Sequence, residues 1–305
     1  MVRAPSAPVP YRVVRRFPET ADTTTFKLTP VGPALPRFVP GQFAMLYAFG
    51  IGAMPVPVSG LPLGENTLIH TVRTVGPVSD ALCSLRTGDT VGVRGPFGTG
   101  WDLAAAEGRD VLVVAGGTGL APLRTVVLEV LADPRYFGTL SVLIGARTPA
   151  DLLYKLQTKV WKAAADVAVT VDRPAPGWRG SVGVVDRLLD RAVFQPAHTV
   201  AYVCGPEPMI RSTARELVGR GVPAHRIRVS LAHDMRCGTG ECGHGRLGPA
   251  PLCRDGLVLG WHRAEPLLTG RDGRDGRDGR ASHGVRGCAL TTCQQGHERR
   301  EMGEE

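Results

Sequence analysis

The sequence has no run of about eighteen apolar residues, the length that a membrane-spanning helix requires. Its first residues, MVRAPSAPVPYRVV, also lack the apolar core of a secretory signal. From these two absences we expect no transmembrane helix, and we expect a soluble, cytoplasmic protein.

Basic helices and aromatic platforms of the kind that bind nucleic acids are also missing. The formal net charge is nevertheless +8, and many arginines lie near the end of the chain, where RDGRDGRDGR repeats a three-residue unit. A basic balance is typical of proteins that bind nucleic acids or acidic partners. Because the charge here reflects an Arg-rich composition, we expect no nucleic-acid partner.

Length and apolar content leave room for two domains and a tail. The chain has 305 residues, of which 43% are hydrophobic, so two cores can be buried. Short β-rich stretches separated by Pro and Gly occupy residues 11–95: TTTFKLTP, FAMLYAF, NTLIHTVRTV and DTVGVRGPFG. This spacing predicts a small antiparallel β-barrel over residues 8–103.

Beyond residue 110, apolar strands alternate with helix-like segments. VLVVAGG runs into LAPLRTVVLEVLA, and the later strands TLSVLIGA, VAVTVD and TVAYVCGP are each followed by a helix-like segment. This alternation is typical of a parallel sheet with crossover helices. We therefore predict a parallel-sheet α/β domain over residues 108–231.

The last part of the chain is rich in Cys, Gly and Arg. Three of the seven cysteines fall within seventeen residues, and in a chain without an export signal such clustering indicates metal binding rather than disulfides. We predict a Cys-rich loop over residues 232–262 and a disordered, low-complexity tail over residues 263–305. Cys288 and Cys293 in that tail are interpreted as incidental thiols.

A glycine-rich turn, formed by Gly116, Gly117, Thr118 and Gly119, follows the first strand of the α/β domain. Glycines there let the backbone approach a pyrophosphate, and the next helix offers unpaired N–H groups to its negative charge. Pro122 fits the first turn of that helix, where a missing N–H costs little. A tight strand–helix turn without a ligand is the alternative interpretation.

A second turn of this kind, Cys204, Gly205 and Pro206, ends a later strand. Ligands of an open parallel sheet lie beyond the carboxyl ends of its strands, so the two turns are predicted to converge on one crevice. A cysteine at a strand end is usually a small apolar filler. Together with the first turn, Cys204 is predicted to lie beside a nicotinamide ring.

These motifs resemble those of the ferredoxin–NADP reductase superfamily, to which AGGTGLAPL followed by CGPEPM is similar. IGARTPADLLY and VDRPAPGWRGSVGVV resemble the dinucleotide domain of the same superfamily. More closely, FVPGQFAML, HTVRTVGPVSDALCSL and VRGPFGTGW are similar to gamma subunits of cytoplasmic nickel–iron hydrogenases, to the anaerobic sulfite reductase B subunit and to the electron-transfer subunit of dihydroorotate dehydrogenase.

The resemblance implies that FAD lies between the barrel and the α/β domain, which binds NAD(P)H. It assigns three groups of residues to the flavin: one edges the isoalloxazine, one lines the flavin site and one holds the pyrophosphate at the start of a helix. They are Pro55, Val56, Pro57, Val58 and Ser59; His70, Thr71, Val72 and Arg73; and Gly76, Pro77, Val78 and Ser79. A solvated charge at Arg73 and a barrel-core histidine at His70 are the alternatives.

One flavin position departs from the superfamily's pattern. Pro57 stands where its members usually have a Ser or Thr whose hydroxyl faces the reactive nitrogen of the flavin. Proline brings neither a hydroxyl nor a backbone N–H. We expect flavin binding to survive, because most contacts are to phosphate and backbone, but this source of hydride-transfer tuning is missing.

The cysteine loop resembles the [2Fe–2S] cluster loop of the hydrogenase gamma and dihydroorotate dehydrogenase subunits. The resemblance makes Cys237, Cys242 and Cys253 metal ligands. Four thiolates are the usual requirement of such a cluster, and the third expected cysteine falls on Gly245, which has no side chain to ligate anything.

Several explanations of this gap remain open. His244 would supply a nitrogen ligand, as histidines do in Rieske centres, or the fourth ligand would come from Cys288, Cys293 or a partner chain. Alternatively the loop is a vacant remnant. Three cysteines and one imidazole would also suit structural zinc.

The resulting hypothesis is an electron-transfer subunit of an oxidoreductase. NAD(P)H delivers a hydride to FAD, and single electrons pass through the cluster to or from a partner redox subunit of the hydrogenase or sulfite reductase type. Arg147 meets the ribose or a 2′-phosphate or else faces solvent, so NAD and NADP both stay open. The alternatives are a dihydroorotate dehydrogenase electron-transfer subunit and, from another class, a non-catalytic scaffold with degenerate cofactor sites.

Overall fold

The structure, a computed structural model, describes residues 7–61, 66–231, 235, 237–247 and 250–278. Within them an antiparallel six-stranded sheet is followed by a seven-stranded sheet that is parallel except at one edge. The first sheet ends at Phe97 and the second begins at Asp110. The predicted fold class, a β-barrel followed by an α/β domain, is confirmed.

The first sheet closes into a barrel. Its strands are β1 (Val9–Pro18), β2 (Thr23–Pro30), β3 (Phe43–Ala48), β4 (Gly52–Pro57), β5 (Leu68–Arg73) and β6 (Thr90–Phe97). Neighbours in the order β4-β3-β6-β1-β2-β5 are antiparallel. A bridge between Val58 and His70 joins the end of β4 to β5, so the two edge strands meet. Helix α1 (Pro77–Ser84) packs against β3, β4 and β5.

The barrel has a core of its own, because successive side chains of a strand point to opposite faces. On β1, Tyr11 and Val13 are fully buried, whereas Arg12 and Val14 are exposed. The same interior takes up apolar side chains from the other strands and from α1: Phe26, Leu28, Ala44, Leu46, Val56, Leu68, Val72, Leu82, Val91 and Val93.

The α/β domain is built around a central parallel sheet. Its parallel strands are β7 (Asp110–Gly116), β8 (Leu140–Ala146), β9 (Asp166–Val171), β10 (Ser181–Val182), β11 (Thr199–Cys204) and β12 (Ile227–Ser230), and its helices are α2 (Leu120–Ala132), α3 (Lys155–Trp161) and α4 (Glu207–Gly219). The order is β10-β9-β8-β7-β11-β12. Strands β8, β9 and β10 lie on one side of β7, and strands β11 and β12 lie on the other. This switch in strand order creates a crevice at the carboxyl ends of β7 and β11.

The Cys-rich segment is packed into the molecule. It contributes a hairpin of β13 (Arg246–Leu247) and β14 (Ala250–Pro251), the short helix α5 (Leu252–Asp255) and strand β15 (Val258–Gly260), which pairs antiparallel with β12. Leu252 and Cys253 are buried in one cluster with Phe97 of the barrel and Val229 of the α/β sheet. This segment therefore packs against both domains.

The prediction of a disordered tail from residue 263 is wrong for residues 263–278. These residues belong to helix α6 (Trp261–Asp278), which packs against β12 and β15. Ala264 and Leu268, four residues apart on one helical face, are fully buried. The predicted residues Cys288 and Cys293 and the rest of 279–305 lie outside the described residues.

None of the helices in the described part of the chain is long and apolar enough to cross a membrane.

Candidate functional site

A cavity of about 1030 Å³ lies between the barrel and the α/β sheet. Its wall includes residues of every group predicted from the sequence except the helix start at α1 and the cysteines of the loop: Pro55, Val56, Pro57, Thr71, Val72, Arg73, Gly116, Gly117, Thr118, Gly119, Arg147, Cys204, Gly205 and Pro206. The other predicted flavin residues lie behind or beyond this wall: Val58, Ser59, His70, Gly76, Pro77, Val78 and Ser79.

The two glycine turns touch each other in the wall of this cavity. Strands β7 and β11 run side by side, with Ala115 paired to Cys204. A Cβ on Gly119 would lie 2.7 Å from the amide nitrogen of Gly205, and one on Gly205 would lie 3.1 Å from the Cα of Gly116. The glycines are therefore required because the two backbones approach so closely.

The first turn also presents the start of helix α2 to the cavity. Gly117 has φ +54°, a left-handed conformation that favours glycine, and the turn leads directly into α2. The first N–H groups of a helix have no partner within the helix, so the cavity wall at Thr118 and Gly119 is suited to an anion. Pro122 is the third residue of α2, within its first turn.

Cys204 faces the cavity as an uncharged thiol. Burial raises the pKa of this thiol to about 12, against a lowering effect of a hydrogen bond with Ser230. A thiol with such a pKa keeps its proton at physiological pH and is a poor nucleophile. The side chain therefore suits a small, soft contact with a ligand ring and does not suit covalent chemistry.

On the barrel side, the wall is the edge formed by β4 and β5. Pro55 and Pro57 lie on β4, which has a neighbour strand on one side only along these positions. Because proline has no N–H, this part of the edge offers carbonyl oxygens to its surroundings. The Pro57 carbonyl accepts a hydrogen bond from Nδ1–H of His70 at 3.0 Å.

His70 lies inside the barrel, which agrees with the alternative interpretation of this residue as a barrel-core histidine. It is fully buried, and its ring meets Phe38 edge-on at 6.3 Å between centroids. Burial lowers its pKa to about 4, so the imidazole is neutral. The side chain therefore supports Pro57 from behind the wall and does not face the cavity.

Arg73 is a fixed cation on the cavity wall. Its Nε donates to Oδ2 of Asp22 at 2.7 Å, and Asp22 also accepts from the hydroxyls of Thr20 and Thr23. Burial raises the pKa of Asp22, but these hydrogen bonds and the Arg73 charge outweigh it and lower the pKa overall. The ion pair orients a half-exposed guanidinium beside the flavin edge that the resemblance implies.

The start of α1 is organised by its own serine. Ser79 Oγ accepts from the N–H groups of Val75 and Gly76, at 2.8 and 3.0 Å, and donates to the Gly76 carbonyl. The Ser79 hydroxyl is thus committed to the helix start. An anion at this point would meet the first-turn N–H groups of the helix and not that hydroxyl.

The α/β wall also carries charges of both signs. Arg147, which follows β8, lines the cavity together with the carboxylates of Asp151, Asp172 and Asp186. Asp151 Oδ2 already accepts from the N–H and hydroxyl of Thr148, at 3.0 and 2.7 Å.

The cysteine loop brings thiols and backbone amides together. Partial burial raises the pKa of Cys237, but hydrogen bonds with Thr239 and Cys242 outweigh it and lower the pKa to about 6. Burial and the nearby Cys237 and Cys242 raise the pKa of Cys253, against hydrogen bonds with the backbone of Gly238 and Gly240. The three cysteines are therefore close enough to interact electrostatically.

The position that should complete the ligand set does not do so. Gly245 has φ +65°, and the neighbouring His244 is exposed, with Nδ1 2.9 Å from the Cys242 carbonyl. Among the residues that the structure describes, no three His, Cys, Asp or Glu side chains are arranged to hold a metal ion. The described residues of this loop alone therefore do not supply the four ligands that a [2Fe–2S] cluster requires.

The sequence did not point to a set of polar contacts behind the cavity. Tyr154, in the connection before α3, reaches the Thr71 hydroxyl at 2.7 Å, and Arg124 of α2 reaches the Ser59 carbonyl. These partners are 83 and 65 positions apart, so no local motif signals them.

Residues 113–215 match the family model described as the oxidoreductase NAD-binding domain. Over 253 residues the chain is 32% identical to sulfhydrogenase 1 subunit gamma of Pyrococcus furiosus. The alignment covers 79% of this chain and 82% of that protein. It is 36% identical over 253 residues to a probable dihydroorotate dehydrogenase B (NAD(+)) electron transfer subunit of Methanopyrus kandleri, with 83% and 90% covered. The structure of an NADH-dependent reduced ferredoxin-NADP oxidoreductase shares the fold, with a TM-score of 0.67, 24% identity, and 88% of this chain and 95% of that chain covered.

Replacing Gly119 by alanine tests the contact between the two turns. Because the added Cβ would lie 2.7 Å from the Gly205 nitrogen, we expect Gly119→Ala to destabilise the protein and to weaken nucleotide binding. Overpacking of this kind costs about 1–3 kcal/mol in urea unfolding. The matched control is Gly219→Ala at the end of α4, where nothing lies within 4 Å and we expect a gain of about 0.4–1 kcal/mol. Equal stability of both variants would contradict the assigned contact.

Proposed function

Because the chain belongs to the oxidoreductase family of sulfhydrogenase gamma subunits and dihydroorotate dehydrogenase B electron-transfer subunits, we propose that it is an FAD-dependent electron-transfer subunit. This family lies within the ferredoxin–NADP reductase superfamily. The subunit would exchange electrons between NAD(P)H and a partner redox subunit. The observation that carries the proposal is the single cavity shared by the β4–β5 edge and the two glycine turns. Two flat ring systems that must stack need such a cavity with one wall for each.

The residues of the barrel wall fit a flavin. Pro55, Val56 and Pro57 form an apolar edge with carbonyl acceptors, suited to the rim of the isoalloxazine, and Arg73 adds a fixed positive charge. The start of α1 would take the FAD pyrophosphate through its first-turn N–H groups. Bound FAD would supply the exchange between two-electron hydride transfer and one-electron transfer.

The residues of the α/β wall fit a nicotinamide dinucleotide. The turn of Gly116, Gly117, Thr118 and Gly119 would hold the pyrophosphate at the start of α2. Cys204, protonated and small, would lie against the nicotinamide, and Arg147 would meet the ribose end. The protein's part in hydride transfer is then to orient the two rings and exclude water, with no side chain acting as acid or base.

Two classes of partner agree with the relatives of this chain. A hydrogenase-like complex agrees with the likeness to the Pyrococcus furiosus gamma subunit. A dihydroorotate dehydrogenase is the second candidate, because identity to the Methanopyrus kandleri subunit is 36%, over a larger share of both chains.

Anaerobic absorbance spectroscopy tests the proposal. We expect the purified chain, supplied with FAD, to show flavin bands near ~375 and ~450 nm that bleach when NADH or NADPH is added, because the cofactor carries the redox chemistry. The Gly119→Ala variant should keep the flavin bands and bleach more slowly, since its change lies on the nucleotide wall. A chain that is colourless after incubation with FAD and removal of the unbound flavin would contradict the proposal and favour the non-catalytic scaffold.

For the cysteine loop we propose that cluster binding needs a fourth ligand from outside the loop. Cys237, Cys242 and Cys253 would supply three thiolates, and the glycine-rich backbone around them offers N–H groups of the kind that stabilise cluster sulfurs. The Arg94 guanidinium, which donates to the Cys237 carbonyl at 3.1 Å, ties the loop to the barrel. Gly245, at the position of the missing cysteine, is buried and has no side chain, and we propose that a partner chain supplies the fourth ligand.

Introducing the missing thiol tests this directly. After anaerobic reconstitution we expect Gly245→Cys to hold about two irons per chain, the content of one cluster, whereas the unmodified chain alone holds far less. The control is Gly243→Cys, at another positive-φ glycine of the same loop, which should not gain iron because its position does not match the cluster motif. Full loading of the unmodified chain in isolation would contradict the need for an external ligand.

A further inference from the structure

Behind the cavity, seven side chains form a polar cluster that crosses from one domain to the other. We call it the interdomain clasp. Its members are Glu19, Thr25, Ser59 and Thr71 of the barrel, and Arg124, Tyr154 and Gln157 of the α/β domain.

Three hydrogen bonds of the clasp cross between the domains. The Tyr154 phenol bonds the Thr71 hydroxyl at 2.7 Å, and the Tyr154 backbone N–H donates to Glu19 Oε2 at 3.1 Å. The guanidinium of Arg124 donates to the Ser59 carbonyl. One tyrosine is therefore tied to the barrel by both its side chain and its backbone.

The hydrogen positions in the clasp follow from the number of protons available. Thr25 donates its only proton to Glu19 Oε1 at 2.8 Å, so in its 2.9 Å contact with Thr71 it must accept. Thr71 thus spends its only proton on Thr25 and must accept from Tyr154. Burial raises the pKa of Tyr154, so the phenol keeps the proton that it donates.

The same count shows that the Thr71 hydroxyl has no capacity left for a ligand. It donates once, to Thr25, and accepts twice, from Tyr154 and from Ser59 at 2.8 Å. Although Thr71 lines the cavity, its hydroxyl is committed to the clasp. The hydroxyl that Pro57 lacks is therefore not replaced by the threonine across the β4–β5 bridge.

Tyr154 is held in an uncommon backbone conformation by these contacts. Its φ is +51°, in the left-handed region that non-glycine residues rarely adopt. The Arg124 guanidinium lies 4.9 Å from the centre of the Tyr154 ring, and its Nε donates to Gln157 at 2.7 Å. Such a conformation persists where the surroundings determine it from several sides at once.

The clasp lies directly behind both walls of the cavity. Thr71 lines the barrel wall, and Leu153, the residue before Tyr154, lines the α/β wall. Arg124 follows by two residues Pro122, another wall residue. From this geometry we infer that Tyr154 is a positioning residue. Its bond to Thr71 fixes the separation of the two walls and thereby the stacking of nicotinamide on flavin, an inference that rests on the proposed function.

Removing single hydroxyl groups tests the inference. Tyr154→Phe and Thr71→Val each delete one side of the 2.7 Å bond while keeping the shape, and Tyr136→Phe is the matched control, because Tyr136 is exposed and outside the cavity. In the FAD-loaded protein we expect Tyr154→Phe to slow flavin reduction at saturating NAD(P)H about tenfold, since small misplacements of reacting groups have effects of this order. The KM should stay within about twofold, because the nucleotide contacts are untouched. The control should match the unmodified protein.

Three further measurements separate positioning from stability and from the proposed function. The double variant should be no slower than Thr71→Val alone, because Tyr154→Phe removes only a bond that Thr71→Val has already broken. The long-wavelength absorbance of stacked nicotinamide and flavin should weaken in either single variant. In the protein without cofactors, amide hydrogen exchange should quicken around residues 153–161 in Tyr154→Phe and not in Tyr136→Phe.

Unchanged exchange in Tyr154→Phe would overturn the clasp whatever the protein's function. Quicker exchange with an unchanged rate of flavin reduction would overturn the positioning role. If the unmodified protein takes up no FAD, the proposed function fails, and the exchange comparison still decides whether the clasp holds the domains together.

Discussion

The close approach of two backbone turns is the constraint on which this molecule's architecture depends. Strands β7 and β11 are adjacent, and the turn after β7 lies so tightly against the end of β11 that a Cβ at Gly119 would collide with the backbone of Cys204 and Gly205. Both turns therefore face the same cavity. Without the switch in strand order between β7 and β11, the two turns would not lie against each other.

The rest of the structure brings a second wall to this crevice and keeps it there. The barrel closes where β4 meets β5, and its prolines present an edge without N–H groups, supported from within by His70. The Cys-rich segment packs against both domains. The clasp around Tyr154 joins the two walls from behind. Its buried hydrogen bonds define the relative position of the walls more closely than apolar packing alone would.

Local patterns predicted much of this from the sequence. Apolar strands ending in glycine turns predicted the α/β sheet and the convergence of Gly119 with Cys204, because both follow from chain topology. The side of β5 on which His70 lies was not predictable, since both faces of that strand are buried and alternation carries no signal. Tyr154 and Thr71 are 83 positions apart, and α6 was hidden because two buried residues, Ala264 and Leu268, stand in a polar, glycine-containing stretch.

A crystal structure of the chain with FAD and a nicotinamide dinucleotide would show directly whether both cofactors bind in the cavity between the β4–β5 edge and the two glycine turns. We expect the isoalloxazine to lie against Pro55–Pro57, the dinucleotide pyrophosphate at Gly116–Gly119, and the nicotinamide between the flavin and Cys204. Density for the two cofactors in separate places, or a dinucleotide away from the Gly116–Gly119 turn, would contradict this expectation.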